Sequence, residues 1–452
     1  MDIYKHSFKS RLLAFFETDW PLYILFLIAI LERVLYVTQF GLGNIMAIES
    51  DSGNYLKAGI EFAKTGKLTY GGHISALIMP GITVLIGLAC RIFGDGHILL
   101  CALQIIWMSL GVTTMIFLYK AANVLLPKPF ALCVAAVYLL PMHVSIDSYL
   151  LTEGPFFLFF AMSLYFMLKM GEDLSVKNAV GFGLSILGGL MFRANILILA
   201  GIALIYLLLL KKYTLRDIIV KTIIICVILA IFIIPWTIRN YRHFDAFIPV
   251  TYGANNPILD GTYQNNVYPV EDALDWSVTD SRYYEQYGHY YDENGALKNP
   301  DAYQYLQHML CGIVANYRIE KWLEIEPLHF LKTYLIDKPR MVLNWPWHWI
   351  DFLGIDFELQ CTLRKLNFLL CGIAFVLSLI RKKYRFVVSF LLSAYVVNLY
   401  LVSSAYAIDR YAEAIMPYRY LVAGIGFYLI CDTLLGITSH FRRRPSRDSL
   451  TL

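Results

Sequence analysis

Charge is what this sequence has least of. Only 16% of its 452 residues are Asp, Glu, Lys or Arg, against about 25% in an average soluble domain. Such a chain cannot clothe a water-facing surface of its size, which excludes an ordinary soluble globular fold. Cysteine is sparse and unpatterned: eight residues, at positions such as Cys90, Cys101, Cys133, Cys226 and Cys371, mostly inside apolar runs and with no CxxC pair. That excludes a disulfide framework or a His/Cys metal site and reads them as small buried hydrophobes. There is no Gly-rich phosphate loop and no nucleotide-binding βαβ pattern, so a cytosolic nucleotide sugar has no evident site. The basic N-terminus, "MDIYKHSFKSRLLAFFETDW", is followed by no A-x-A-like cleavage site. Its apolar segment is therefore expected to be a retained helix and not a removed signal peptide.

What fills the chain instead is apolar sequence, at 58% of residues with a mean hydropathy of +0.56. Runs of about 17–25 residues, enough to cross a roughly 30 Å hydrocarbon core, recur from end to end. The pattern predicts an all-α polytopic membrane protein with about ten spans, near 20–40, 98–119, 130–146, 154–170, 178–193, 195–210, 217–236, 364–380, 386–404 and 413–436. Basic residues cluster in the N-terminal tail, at Lys120–Lys128, Lys169–Lys177, Lys211–Lys221, Arg381–Arg385 and Arg442–Arg447. Placing all of these in the cytoplasm fixes the orientation, with both termini inside. Parity then requires that "ALIMPGITVLIGLACRIF" (76–93) not cross, and it is expected to be an interfacial or re-entrant helix on the outer side.

The expected organisation follows. Residues 1–236 form an N-terminal transmembrane module whose first outer loop is 41–97; 237–335 form a small extracytoplasmic domain; 336–436 carry the C-terminal transmembrane helices; and 437–452 are a basic cytoplasmic tail. The outer segment is rich in Tyr, Asn and Asp, with turn signals at Asp260-Gly261 and Asn294-Gly295. Apolar residues return at helical spacing from about 302 to 335, which predicts helices packed on the membrane surface.

Within the first outer loop, "AIESDSGNYLKAGIEFAKTG" (47–66) sets Glu49, Asp51, Lys57 and Glu61 beside the end of the first span. Asp51 is well placed to N-cap a helix over 52–64 that Gly66 would end. Capping and catalysis are both open to it on periodicity alone.

Beyond that point the motifs carry a family resemblance. The D-x-x-x-Y of Asp51 to Tyr55, then "TGKLTY" (65–70) and "MPGITVLIGLACRIFG" (79–94), resemble the first outer loop of GT-C membrane glycosyltransferases. The likeness is to the branch that holds the protein O-mannosyltransferases and the lipid A aminoarabinose transferase. "LTEGPFFLFF" (151–160), "GGLMFRANILIL" (188–199), "PWTIRNYRHFDAFIPVTYGANNPILDG" (235–261) and "DRYAEAIMP" (409–417) are similar to later family motifs in the same order. The chain departs in having Met79 and a single Pro80 where the aminoarabinose transferases have a basic residue before a Pro-Pro pair. Its second outer loop offers both Asp147 and Glu153; Glu153 fits the "TEGPFF" motif, with Asp147 as the alternative.

The resemblance implies transfer of a monosaccharide from a polyprenyl-phosphate donor to a glycan, lipid or protein acceptor on the outer face of a cell membrane, with no cofactor, no metal and no nucleic-acid partner; a retained N-terminal helix suits a bacterial cell membrane. It implies Asp51 as catalytic base and single displacement with inversion. Arg410, Arg239 and Arg193, at the outer ends of separate spans, are the candidates for the donor phosphate, which guanidinium binds bidentately. Glu153, Glu49, Tyr55 and His73 are candidate substrate contacts. Glu32 and Arg33 read as a structural pair, and "NWPWHWIDF" (344–352) as an interfacial aromatic belt that is also able to stack on sugar. The rival class is a transporter or flippase of a lipid-linked precursor. Paired repeats with helices broken at the midplane would mark it, and the sequence shows no such duplication.

Overall fold

The computed structural model describes residues 14–45, 49–264, 273–344, 346–347 and 350–435. The chain forms an all-α bundle. In order come α1 (Trp20–Phe40), α2 (Asp51–Thr65), α3 (Gly81–Phe93), α4 (His97–Leu125), α5 (Lys128–Ala136), α6 (Pro141–Ile146), α7 (Glu153–Glu172), α8 (Val176–Leu190), α9 (Leu197–Leu210) and α10 (Leu215–Phe244). Then follow α11 (Asn255–Gly261), α12 (Trp276–Tyr287), α13 (Tyr303–Ile325), α14 (Pro327–Lys332), α15 (Lys338–Asn344), α16 (Phe357–Ile380), α17 (Lys382–Ser404), α18 (Asp409–Glu413) and α19 (Met416–Leu435). A two-residue hairpin, Thr69–Tyr70 with His73–Ile74, joins α2 to α3. Six of these helices, α1, α4, α7, α10, α16 and α17, are long and apolar enough to cross a membrane. This is a multi-pass membrane architecture.

Three expected spans are shorter or broken. The run at 130–146 is divided into α5 and α6 by a 3-10 turn, Val137–Leu139, just before Pro141, whose missing N–H and fixed φ cannot continue a helix. The runs at 178–193 and 195–210 become α8 and α9, of 15 and 14 residues.

The path of the first loop explains the charge parity. Lys128, at the start of α5, donates to Asp19 at 2.6 Å, so the beginning of α1 and the end of α4 share one end of the bundle. At the other end the Gly43 N–H donates to Gln104 Oε1 at 2.7 Å, which joins the end of α1 to the first turns of α4. The segment between them therefore leaves and returns at the same end, and α3 need not cross. At 13 residues α3 is about 20 Å long. It packs against α2 at a glycine contact: a Cβ on Gly59 would sit 2.5 Å from Ile86 Cβ, and one on Gly87 would be 2.9 Å from the Gly59 carbonyl. Side chains at either position would force the two helices apart.

A large apolar core runs through the bundle. A second, smaller one is built on the last turns of α10, where Trp236 and Phe244 pack with Tyr252, Tyr283, Tyr290 and Tyr305. Here the Tyr-rich segment finds its function in packing. The Tyr290 hydroxyl donates to the Phe244 carbonyl at 2.8 Å, the pairing that a buried phenol requires.

Candidate active site

Four charged side chains from four distant stretches meet at the loop-bearing end of the bundle. Glu153 opens α7 and is fully buried. Its Oε1 accepts from Arg410 Nε at 2.5 Å and from Arg193 Nη1 at 2.6 Å, while Oε2 accepts from Arg410 Nη2 at 3.2 Å. The Thr152 hydroxyl adds a bond to Oε2 at 3.2 Å. Arg410, on α18, uses its remaining Nη1 on Asp51 Oδ2 at 2.7 Å. Two carboxylates and two guanidiniums thus form a neutral chain, Asp51–Arg410–Glu153–Arg193, with charge-assisted bonds throughout. Burial opposes the Arg410 charge, but Glu153 and Asp51 overcome that and hold its pKa above the ordinary value.

Exposure grades along this chain. Glu153 is closed off, the Arg410 and Arg193 side chains are 15% and 19% exposed, and the Asp51 carboxylate is 42% exposed. Only Asp51 stands open to an incoming molecule. It is also not an N-cap. Ser50 takes that position, Asp51 is the first helical residue, and no side chain caps the helix. The carboxylate goes to Arg410 instead, because a buried guanidinium offers a stronger bond than a solvated peptide N–H. The expected end of α2 is as anticipated, with Gly66 left-handed at φ +72° and its N–H bonded to Phe62.

Aromatic side chains wall the cluster. Trp347 lies with its ring centroid 6.0 Å from the Arg410 guanidinium, and Tyr411 with its own 5.2 Å from that of Arg193. Tyr55 is buried against Tyr70, with ring centroids 6.0 Å apart. Burial first, then the nearby carboxylates of Asp51 and Glu153, push the Tyr55 hydroxyl well above the usual phenol range, so it stays a proton donor. Asp409 does not pair with the Arg410 side chain; it accepts from the Arg410 backbone N–H at 2.8 Å.

The other anticipated residues fall elsewhere. Arg239 donates to the carbonyls of Ser75 and Leu68 at 2.9 and 3.1 Å and to Asn240 Oδ1 at 2.8 Å. It pins the hairpin segment onto α10 and takes no part in the four-residue chain. Asp147 is held by Arg33 at 3.0 Å, and Arg33 by Glu32 at 3.0 Å; a buried triad braces α1 against the turn after α6, leaving Glu153 as the acidic residue of the cluster. His73 is exposed and faces the Tyr303 ring at 5.2 Å. Glu49 is exposed beside Asp51 in sequence. Of the aromatic run, Trp347 is buried inside the protein instead of lying on its surface, while Trp345 and Trp349 lie outside the described residues.

Two features of this end escaped the sequence reading. Arg364 and Glu413 form a buried ion pair at 2.8 Å, and the Trp347 N–H lies 3.5 Å from the same Glu413 oxygen. Gln264 makes two bonds with Ala407, its amide donating to the carbonyl at 2.8 Å and accepting the N–H at 2.7 Å. The Tyr-rich segment is thereby fastened three residues from Arg410. The available signal for the first was two ionisable residues flanking apolar runs, which are rare unless paired.

Residues 79–237 match the family model described as dolichyl-phosphate-mannose-protein mannosyltransferase. A search of curated proteins gives no match in sequence. Among solved structures, the Archaeoglobus fulgidus oligosaccharyltransferase tethered to an acceptor peptide superposes with a TM-score of 0.55 at 13% identity, covering 97% of this chain and 52% of that one. The same organism's oligosaccharyltransferase AglB, in complex with an inhibitory peptide and a dolichol-phosphate, gives 0.54 at 13% identity, covering 94% and 52%. ArnT from Cupriavidus metallidurans in the apo state gives 0.41 at 13% identity, covering 90% and 77%. The chain spans about half the length of the oligosaccharyltransferase. Over its matched stretch and in its fold, the chain resembles the GT-C membrane glycosyltransferases, as the order of its motifs implied.

Proposed function

We propose that the protein is a membrane glycosyltransferase that moves a monosaccharide from a polyprenyl-phosphate donor to an acceptor hydroxyl, with the reaction centred on Asp51. The observation that carries this reading is the Asp51–Arg410–Glu153–Arg193 chain, in which two cations are preassembled behind a single open carboxylate. The resting cluster is neutral, so a donor phosphate must take a place on a guanidinium that a carboxylate now holds. Glu153 is buried and triply bound by arginine; Asp51 holds Arg410 by one bond and is the most exposed member. The phosphate displaces Asp51 from Arg410 Nη1.

That exchange prepares the chemistry. A carboxylate relieved of its cation becomes a better proton acceptor. The acceptor oxygen attacks the anomeric carbon, its proton passes to Asp51, and the bond from that carbon to the phosphate oxygen breaks. Polyprenyl phosphate leaves with its negative charge on Arg410 and Arg193, which were in place beforehand. A single displacement inverts the anomeric centre. Arg239 keeps the hairpin segment in position instead of binding phosphate, and the site faces the extracytoplasmic side, opposite the basic turns.

The test is incubation of purified protein with a panel of polyprenyl-phosphate monosaccharides and mass analysis of the lipid products. Release of free polyprenyl phosphate from one donor is the expected result and identifies the sugar. A protein that binds or moves the donor across vesicles without ever releasing polyprenyl phosphate would be a transporter.

A further inference from the structure

Beside the Arg364–Glu413 ion pair lies a feature that the displacement step does not use. Helices α5, α16 and α19 surround a cavity of about 370 Å³. Its lining follows α19 from Met416 to Phe427, about 16 Å of helix at 1.5 Å per residue. Most of that length is apolar. Polar groups gather toward one end, where Arg364, Glu413 and Asn367 contribute to the wall.

That end is incompletely satisfied. Arg364 and Glu413 are 5% and 1% exposed and bond to each other. Yet Arg364 Nε, Glu413 Oε2 and Asn367 Oδ1 find no hydrogen-bond partner in the protein. Buried polar atoms are nearly always satisfied by protein, water or ligand. A donor and two acceptors therefore await a molecule at the head of an apolar slot. The slot also opens sideways, because the lining residues Leu366 and Phe427 are 48% and 40% exposed on the bundle surface. In a bilayer that mouth meets lipid chains.

The head chemistry decides the occupant. Arg364 is bonded to Glu413, and of the next charges Arg419, bonded to the Arg364 carbonyl, is balanced by Asp409, so a phosphate would find no net positive charge there and a carboxylate in its way. Hydroxyl groups fit both halves, accepting from Arg364 Nε–H and donating to Glu413 and Asn367. We infer that this cavity seats a lipid acceptor: an apolar chain along α19, and a hydroxylated, uncharged head at Arg364, Glu413 and Asn367. The Trp347 N–H next to Glu413 and the Trp347 ring next to Arg410 place that head one side chain from the transfer cluster. Naming the lipid an acceptor rests on the transfer reading; its seat in the cavity does not.

The test is a photo-reactive residue at Leu370, on the cavity wall, irradiated in native membranes. Lipid adducts are released from the purified protein and identified by mass. Expected is one lipid class with a hydroxylated, uncharged head, enriched over the bulk membrane, whose capture is lost when Ala423→Trp fills the slot. The same substitution is expected to raise the KM for that lipid at least about tenfold, by excluding two or three methylenes, with donor affinity unchanged. Should Ala423→Trp fail to fold, Leu366→Trp at the mouth serves the same purpose. Capture of the polyprenyl-phosphate donor alone, or of lipids in bulk proportion, would overturn the inference. Capture needs no turnover, so a hydroxylated lipid caught by a protein that transfers no sugar would sink the transfer reading and keep the site.

Discussion

Converting Glu153 to Gln is the sharpest perturbation of the cluster. The side chain keeps its shape and loses one charge, while Arg193 and most of the Arg410 fork lose the anion they point at. Breaking a fully buried ion pair from one side costs about 3–5 kcal/mol. Here the guanidiniums keep 15% and 19% exposure and Arg410 retains Asp51, so about 2–3 kcal/mol is expected after solvent screening. For a chain of this length the unfolding entropy is roughly 0.9 kcal/mol/K, which turns the loss into a thermal midpoint lower by about 2–4 °C. Cys90 and Cys371 are buried while Cys133 and Cys226 are exposed, so a thiol-reactive fluorophore reports unfolding in detergent once the six cysteines other than Cys90 and Cys371 are replaced in parent and variant alike. The two cations, short of one anion, are also expected to bind polyprenyl phosphate more tightly than in the parent. A Glu153→Gln protein with the parent's midpoint and the parent's phosphate affinity would show that the four charges do not work as one unit.

Other outcomes follow from the same contacts. Arg410→Ala is expected to weaken donor binding by roughly ten- to a hundredfold, the worth of about 1.5–3 kcal/mol for a charged hydrogen bond, and Lys to restore only part because the planar fork is lost. Arg239→Ala is expected to lower stability while donor affinity is kept, which equilibrium binding to the folded variant checks. Lys128→Cys is expected to resist an impermeant thiol reagent added outside intact cells, in a background without reactive cysteines, since its end of the bundle is the basic one. Lys338 is buried with its Nζ donating to the Gly261 carbonyl at 3.0 Å, and burial lowers its pKa from 10.5 to about 8. Between pH 8 and 10.5 the unfolded chain holds a proton that the folded one has released. Stability at this site therefore rises with pH across that window, and Lys338→Met is expected to abolish the rise in a series of thermal midpoints.

The bundle was legible because length and apolarity are local properties, and the return of the first loop to one end of the bundle is what charge parity asks for. Asp51, Glu153, Arg193 and Arg410 were legible from motif order, although their convergence was not: nothing in spacing says that residues 359 positions apart share a bond. Arg239 shows where such reading stops. An arginine at a helix end looks the same in sequence whether its fork meets phosphate or the carbonyls of Ser75 and Leu68. The capping role of Asp51 failed for a related reason, since propensity describes an isolated helix end and a tertiary partner, Arg410, outbid the peptide groups. Arg364 and Glu413 went unread because each looks like an ordinary boundary charge until α16 and α18 are packed together.

The most direct test of the central claim is the rate of sugar transfer by purified Asp51→Asn beside the parent protein, with the donor that the panel identifies. Asn preserves volume and a hydrogen-bond acceptor for Arg410 but cannot take a proton at neutral pH. Loss of a general base lowers the rate by about 10²–10⁴, and that fall is expected with the thermal midpoint within a few degrees of the parent and donor binding retained. Transfer by the Asn variant at near the parent rate would contradict the account, and would move the search for a base to Glu49.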